Sequence, residues 1–310
     1  MKRLITWLII SCFTFPVFSQ QTTLPAVYLY NFTSAQSSAM GYVVAVGRPY
    51  WGLFQNPALV GLRQQRAFSA LFANLRLQQK LYIGGLYFPH IKESAFSLAA
   101  GWGVLQVGDI DGRDAMGNPT ERFAIYHNVG VINVAYGGFI PEEEWYSPFT
   151  IGISVKGLWN NYYYIKGMGW GADVGLLWGM LRDDFEWFPY TLQIGIVASE
   201  LGGKINWNTG TQEVINPRFR LAILWSPREW IQVMSETTRW PSGEILLGAG
   251  MEINLLQHVA LRAGWHSLHG ITFGLGFQWG EEKRVHLSAA QLMDHFTVSR
   301  PWVWEVDAAY

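Results

Sequence analysis

Beyond residue 12 the sequence contains no cysteine. Cys12 itself sits in an N-terminal stretch that reads as a removable secretory signal. Lys2 and Arg3 are followed by an apolar run from Leu4 to Phe18, broken by Pro16, and then by Ser19-Gln20-Gln21 as a polar exit with a small residue for cleavage. A mature chain without thiols excludes disulfides and cysteine-metal sites, and it avoids oxidative trapping in the periplasm. Charge is scarce as well. Asp, Glu, Lys and Arg make up 15% of the residues, against about 25% in ordinary soluble proteins. The formal net charge is −1, so no basic surface argues for nucleic acid. After the signal no apolar run approaches the ~18 residues of a membrane-spanning helix.

Aromatics (15%, with 16 Trp) and glycine (33 residues) are abundant. Many aromatics, many glycines, few charges and no membrane helix together suggest a membrane β-barrel, whose lipid-facing band needs apolar side chains only at alternate positions. The alternation is visible. Val259, Leu261, Ala263 and Trp265 share one face, and Ala260, Arg262, Gly264 and His266 the other. Ile271, Phe273, Leu275, Phe277 and Trp279 alternate with Thr272, Gly274, Gly276 and Gln278, and Ile151, Ile153 and Val155 alternate with Gly152, Ser154 and Lys156. Only an extended strand separates such sets. A soluble β-sandwich also alternates, but its outer face is rich in charge. Here the second face holds Gly, Ser, Thr and isolated charges, which suits a confined polar lumen.

The fold expected is therefore all-β, a transmembrane antiparallel barrel of about fourteen strands. The predicted strands lie near 66–76, 78–88, 94–106, 128–139, 149–161, 168–180, 190–200, 216–226, 229–238, 244–254, 257–266, 270–279, 284–293 and 301–310. An even number places both barrel ends on the periplasmic side. Extracellular loops are then expected near 107–127, 161–168, 200–216, 238–244, 266–270 and 293–301. Trp and Tyr near strand ends, such as Trp159, Tyr162 and Trp207, fit interfacial girdles. The expected organisation is a signal peptide over 1–20, an N-terminal plug or periplasmic segment over 21–65, and the barrel over 66–310.

The less regular N-terminal part reads Tyr28-Leu29-Tyr30-Asn31-Phe32, then Ser37-Ser38-Ala39-Met40-Gly41, then Asn56-Pro57-Ala58-Leu59. Further on come Gly152-Ile153-Ser154-Val155-Lys156, Asp173-Val174-Gly175, Gly248-Ala249-Gly250-Met251-Glu252 and Leu261-Arg262-Ala263-Gly264-Trp265. In this order the stretches resemble the PorV/PorQ outer-membrane proteins of type IX secretion, leaning towards PorQ. Asn-Pro-Ala also resembles the FadL-type channels for hydrophobic compounds. Two departures stand out: Gln36, Ser37 and Ser38 where the family often has Arg, and Arg48-Pro49-Tyr50-Trp51 where it often has Asp.

The resemblance implies a non-enzymatic, plugged barrel in the outer membrane. It would dock translocon or attachment-complex components, or the carboxy-terminal signal domains of cargo, without a cofactor. The alternative is a FadL-like transporter of hydrophobic small molecules. Asn56, Pro57 and Ala58 are the candidate lumen plug. Lys156, Asp173, Glu252 and Arg262 fall on predicted lumen faces, where buried charge must be paired, and form the candidate charge network. Asp109, Asp111 and Asp114 around Gly112 lack the later Glu of a calcium loop and read as a surface turn. His266 and His269 have no third metal ligand nearby. No Gly-x-Ser-x-Gly, Walker or HExxH motif points to catalysis. Outer-membrane lipid is the remaining expected partner.

Overall fold

The computed structural model describes residues 26–47, 52–63, 66–75, 78–89, 91, 94–140, 145–180, 191–228, 230–256, 259–279, 285–292 and 302–309. The expected signal peptide, the stretch from Arg48 to Trp51, residues 141–144 of the expected turn 141–148, all of the expected turn 182–189, the expected loop 293–301 and Tyr310 lie outside the described residues.

Fifteen strands form one antiparallel sheet. They are β1 (Ala67–Asn74), β2 (Gln79–Phe88), β3 (Phe96–Arg113), β4 (Pro119–Ile140), β5 (Trp145–Tyr162), β6 (Ile165–Met180), β7 (Thr191–Trp207), β8 (Gln212–Val214), β9 (Arg218–Arg228), β10 (Ile231–Arg239), β11 (Ile245–Leu256), β12 (Val259–His266), β13 (Gly270–Trp279), β14 (Val285–Leu292) and β15 (Trp302–Ala309). The first and last strands pair, Ala67 opposite Ala309 and Asn74 opposite Trp302. Pairing of β6 with β7 completes the circuit. The short β8 pairs only with β7, so the other fourteen strands form a closed ring in which every edge is satisfied.

The ring is apolar outside and polar inside. On β5, Ile151, Ile153 and Val155 are 47%, 54% and 57% exposed, whereas Ser154 and Lys156 are 1% and 2% exposed. The same inversion holds on β13, where Ile271, Phe273, Leu275 and Phe277 are exposed and Thr272 is buried. From Phe149 to Trp159 the outward apolar positions cover about 33 Å of strand, or roughly 25 Å of height at a tilt near 40°, which matches a hydrocarbon band. Exposed apolar rows on a closed barrel with a buried polar lining are stable only in lipid, and the fold is a transmembrane β-barrel. No helix among the described residues is long and apolar enough to cross a membrane.

Strand lengths differ round the ring. β3 to β7 have 18, 22, 18, 16 and 17 residues, whereas β1 and β12 have 8 each. This corrects three expected loops. The span 107–127 is mostly strand, turning only at residues 114–118, the span 161–168 turns only at residues 163–164, and much of 200–216 belongs to β7 and β8. The β3–β4 extension is exposed or half-buried on both faces, so its alternation fades although the ladder continues, whereas the β7–β8 extension still buries Ile205 and Ile215.

Residues 26–47 and 52–63 run inside the barrel rather than along its wall. A 3-10 turn (Val27–Asn31) is followed by a helix (Ala35–Ala39), whose N-cap Ser34 accepts from Ser37 N at 2.8 Å. A second short helix (Gly52–Gln55) leads to a 3-10 turn (Pro57–Leu62) capped by Asn56. The plug starts near the hairpin end, where Tyr28 stacks on His127 at 4.0 Å. It finishes at the other end, where the Arg63 guanidinium lies 4.4 Å from the Tyr87 ring centre.

Candidate functional site

The candidate site is the interface between plug and wall. Asn56, Pro57 and Ala58 all lie in the lumen, and Asn56 and Ala58 are fully buried. Asn56 Nδ2 donates to Ala45 O at 2.6 Å, and its Oδ1 accepts from Ala58 N at 3.0 Å. One side chain thus ties two passes of the plug and caps the following turn, while Pro57 at the first helical position needs no backbone donor. Wall groups hold the same segment. Glu236 Oε2 accepts from both Val44 N and Ala45 N at 2.8 Å. Asn133 Nδ2 donates to Leu53 O at 2.9 Å, and Thr272 Oγ1 to Ala39 O at 2.9 Å.

Inward glycines let the plug come this close. A side chain on Gly152 would collide with the Pro57–Ala58 peptide, on Gly175 with Asn56 Oδ1, on Gly195 with Ala45 O and on Gly250 with Met40 O. Gly41, at φ +71°, makes the reciprocal approach to the backbones of Ala249 and Trp265. The glycine-rich inner face is therefore the seat of the plug.

The four candidate charges fall into two separate groups. Lys156 Nζ lies 2.7 Å from Asp173 Oδ2 and 3.3 Å from Glu200 Oε1. Arg218 grips Glu200 with two hydrogen bonds, at 2.8 and 2.6 Å. Asp173 also accepts from Ser154 Oγ and Glu200 N. Glu252 and Arg262 pair on the far side, at 2.6 Å, and Glu252 Oε2 also accepts from Gln36 of the plug at 3.0 Å. A third pair, Arg220 with Glu236, stands at 3.6 Å. Each group sums to zero charge and is made by wall residues alone. All of these side chains are buried, and neutral pairing offsets the cost of burying them, although the Arg220 guanidinium makes no hydrogen bond.

Sequence reasoning missed Glu200, Arg218, Arg220 and Glu236. Arg218 and Arg220 occupy inward positions opposite outward Phe219 and Leu221, so alternation carried that signal. Glu200 was hidden because β7 bulges around it. The register with β6 shifts on both sides of Ala172, and Glu200 sits at φ +60°.

An aromatic group closes the lumen at the hairpin end. Tyr30 stacks with Tyr42 at 5.6 Å and tilts against Trp240 at 5.3 Å. Leu268 N donates to His266 Nδ1, which leaves the ring proton on Nε2, 2.8 Å from the Tyr30 hydroxyl oxygen. His266 and His269 stack with ring centres 5.0 Å apart, and no group of three metal-ligand side chains occurs among the described residues. Asp114 is a turn residue: Oδ1 accepts from Met116 N and Asn118 N. These bonds, led by that from the Asn118 side chain, hold its carboxyl below the usual carboxylate range.

Fold and site define a plugged transmembrane β-barrel. No protein-family model matches the chain and no curated protein sequence matches it. Solved structures do. The Pseudomonas putida toluene transporter TodX superposes with a TM-score of 0.55, covering 89% of this chain and 96% of TodX at 13% identity. A Pseudomonas aeruginosa FadL homologue gives 0.56, with 90% and 98% covered at 10% identity. The monoaromatic hydrocarbon channel CymD gives 0.52, with 89% and 97% covered at 13% identity. The chain thus shares the barrel fold of these solved structures, and at these identities the likeness is one of fold.

Proposed function

We propose that this chain is an outer-membrane channel that admits small hydrophobic molecules past its plug. The observation that carries the reading is the chemistry of the lumen. The lumen carboxylates and cations pair with one another. The plug brings no charged side chain to those pairs and is held by hydrogen bonds, to Glu236 and Glu252 among others, and by glycine contacts. A pore for ions or sugars needs charged or polar groups facing an aqueous path. Here the spaces between plug and wall suit uncharged, apolar solutes. The names of the similar solved channels, a toluene transporter and a monoaromatic hydrocarbon channel, support the same reading. Vesicles with a lipopolysaccharide outer leaflet, which slows the entry of small apolar solutes, should take up labelled toluene faster when they hold the purified barrel than when empty and should not take up labelled glucose. Equal toluene uptake in both preparations would remove the transport reading.

A second reading, a barrel that docks type IX secretion partners or cargo, is supported by the ordered resemblance to the PorV/PorQ proteins. It is also supported by the raised wall of β3 to β7, which ends in exposed Met116 and Tyr164, 89% and 73% exposed. Gentle purification from the native host with mass spectrometry of co-purifying proteins tests it. Recovery of a translocon barrel or a sortase-like protein favours docking; recovery of the barrel alone opposes it.

A further inference from the structure

One buried cation of the wall makes no hydrogen bond. Lys156 and Arg218 both bond to Glu200, and Arg262 bonds to Glu252 at 2.6 Å. Arg220 is 2% exposed, yet none of its three guanidinium nitrogens has a hydrogen-bond partner. Its counter-charge, Glu236, lies 3.6 Å from Nε, just beyond bonding reach. A guanidinium carries five N–H donors, and leaving them unmade inside a protein is costly.

The reason lies in what Glu236 holds instead. Oε2 accepts from Val44 N and Ala45 N of the plug, both at 2.8 Å, and Oε1 accepts from the Thr238 hydroxyl at 3.0 Å. The carboxylate is turned to the plug, and the cation beside it goes without. In the β9–β10 ladder Arg220 stands opposite Thr238 and Glu236 opposite Ala222, so the two charges are diagonal neighbours on one inner face. The plug segment concerned, residues 43–46, lies between two left-handed backbone positions, Tyr42 at φ +60° and Gly47 at φ +111°. For a tyrosine that conformation is strained. The bond from Asn56 to Ala45 O is internal to the plug and does not oppose withdrawal from the wall.

We propose that Glu236 is a two-position latch for the plug. With residues 43–46 seated, the carboxylate holds Val44 and Ala45, and Arg220 is stranded. With that segment drawn off the wall, Oε2 is free, and the carboxylate takes the Arg220 fork in two parallel bonds, the strong form of this contact. The pair gained on withdrawal offsets the bonds lost, which brings the two positions of the plug closer in free energy. An ordinary structural pair behaves in the opposite way: there Arg220 steadies Glu236 and, through it, the plug. The inference rests on the channel reading only for what passes when the segment withdraws.

The test is amide hydrogen exchange at Val44 and Ala45 in the full mature barrel in lipid, where the rate follows the population of the withdrawn position. Arg220→Met removes the partner that favours withdrawal. Exchange at both amides should slow at least tenfold, while that at Ser38 and Met40, which bond within the plug, stays as in the parent. Arg220→Lys keeps the buried charge but offers a point charge in place of the fork, and should slow exchange at least threefold. It decides the matter if Arg220→Met gives no heat-modifiable barrel. Unchanged or faster exchange at Val44 and Ala45 in the deciding variant would overturn the latch and leave Arg220 as a support of the seated plug. Equal slowing at Ser38 and Met40 would overturn it too, since the whole plug would then have tightened. Slowed exchange in a barrel whose parent takes up no toluene would keep the latch and remove the channel reading; uptake by the parent with unchanged exchange in the variant would do the reverse.

Discussion

Asn56 occupies the space that a side chain at position 175 would need: a Cβ on Gly175 would collide with Asn56 Oδ1. The Asn-Pro-Ala stretch and the Asp-x-Gly strand, 119 residues apart by number, are thus two halves of one contact. Gly175 is bare because Asn56 must lie against the wall to reach Ala45 O and Ala58 N at once.

Gly175→Val should therefore dislodge the plug while leaving the barrel. In planar bilayers, single-channel conductance should rise well above that of the parent, and the band should stay heat-modifiable. Gly84→Ala is the control, since a Cβ there meets nothing within 4 Å. Unchanged conductance in Gly175→Val would show that Asn56 does not hold the lumen shut.

Lys156→Met should be costly out of proportion to its size. It leaves Asp173 and Glu200 facing a single cation, Arg218. Removing one partner of a buried ion pair costs about 3–5 kcal/mol. The double variant Lys156→Met with Asp173→Asn should recover most of that loss in urea unfolding of the barrel in lipid. A single variant as stable as the parent would contradict the network.

Glu236→Ala combined with Arg220→Met, so that no buried cation is left unpaired, should free the plug locally. Val44 and Ala45 lose their shared acceptor, while Ser38 and Met40 keep backbone acceptors within the plug. Hydrogen exchange at Val44 and Ala45 should accelerate and that at Ser38 and Met40 should not. Uniform acceleration would point to loss of the whole plug.

The outer face answers to lipid. Ile153→Arg, on the outward row near the middle of β5, should destabilise the barrel by roughly 2–4 kcal/mol, and Tyr164→Arg, at the hairpin tip, by about 0–1 kcal/mol. Equal costs would place the apolar band elsewhere.

The Asp114 turn should loosen in acid. Its carboxyl is lowered by bonds from Asn118 and its neighbours, so the ordering it supplies is complete above the usual carboxylate range and is lost as pH falls through the lowered value. The Asn118 amide should keep slow exchange at neutral pH and lose it in strong acid. Asp114→Ala should show fast exchange at both.

Strand phase and number were legible because lipid enforces alternation one residue at a time: Ile151, Ile153 and Val155 each lie opposite hydrocarbon by their own position. The inward placement of Lys156, Asp173, Glu252 and Arg262 follows from the same rule. Legibility ended where that rule stops acting. Above the membrane, residues 107–127 carry no enforced pattern and read as loop although most are strand. At Ser199–Gly203 bulges break the count, and Glu200, which joins Lys156 to Arg218, was lost with it.

The sequence by itself determined a membrane barrel of about fourteen strands, because a two-residue period is a local demand that each strand meets alone. The tertiary structure alone decided which charges meet, that each group is neutral without the plug, and that the inner glycines are its seat. Those facts depend on residues brought together across the lumen from distant parts of the chain, as Met40 is to Gly250 and Gln36 to Glu252, and no local pattern encodes distances across a closed ring.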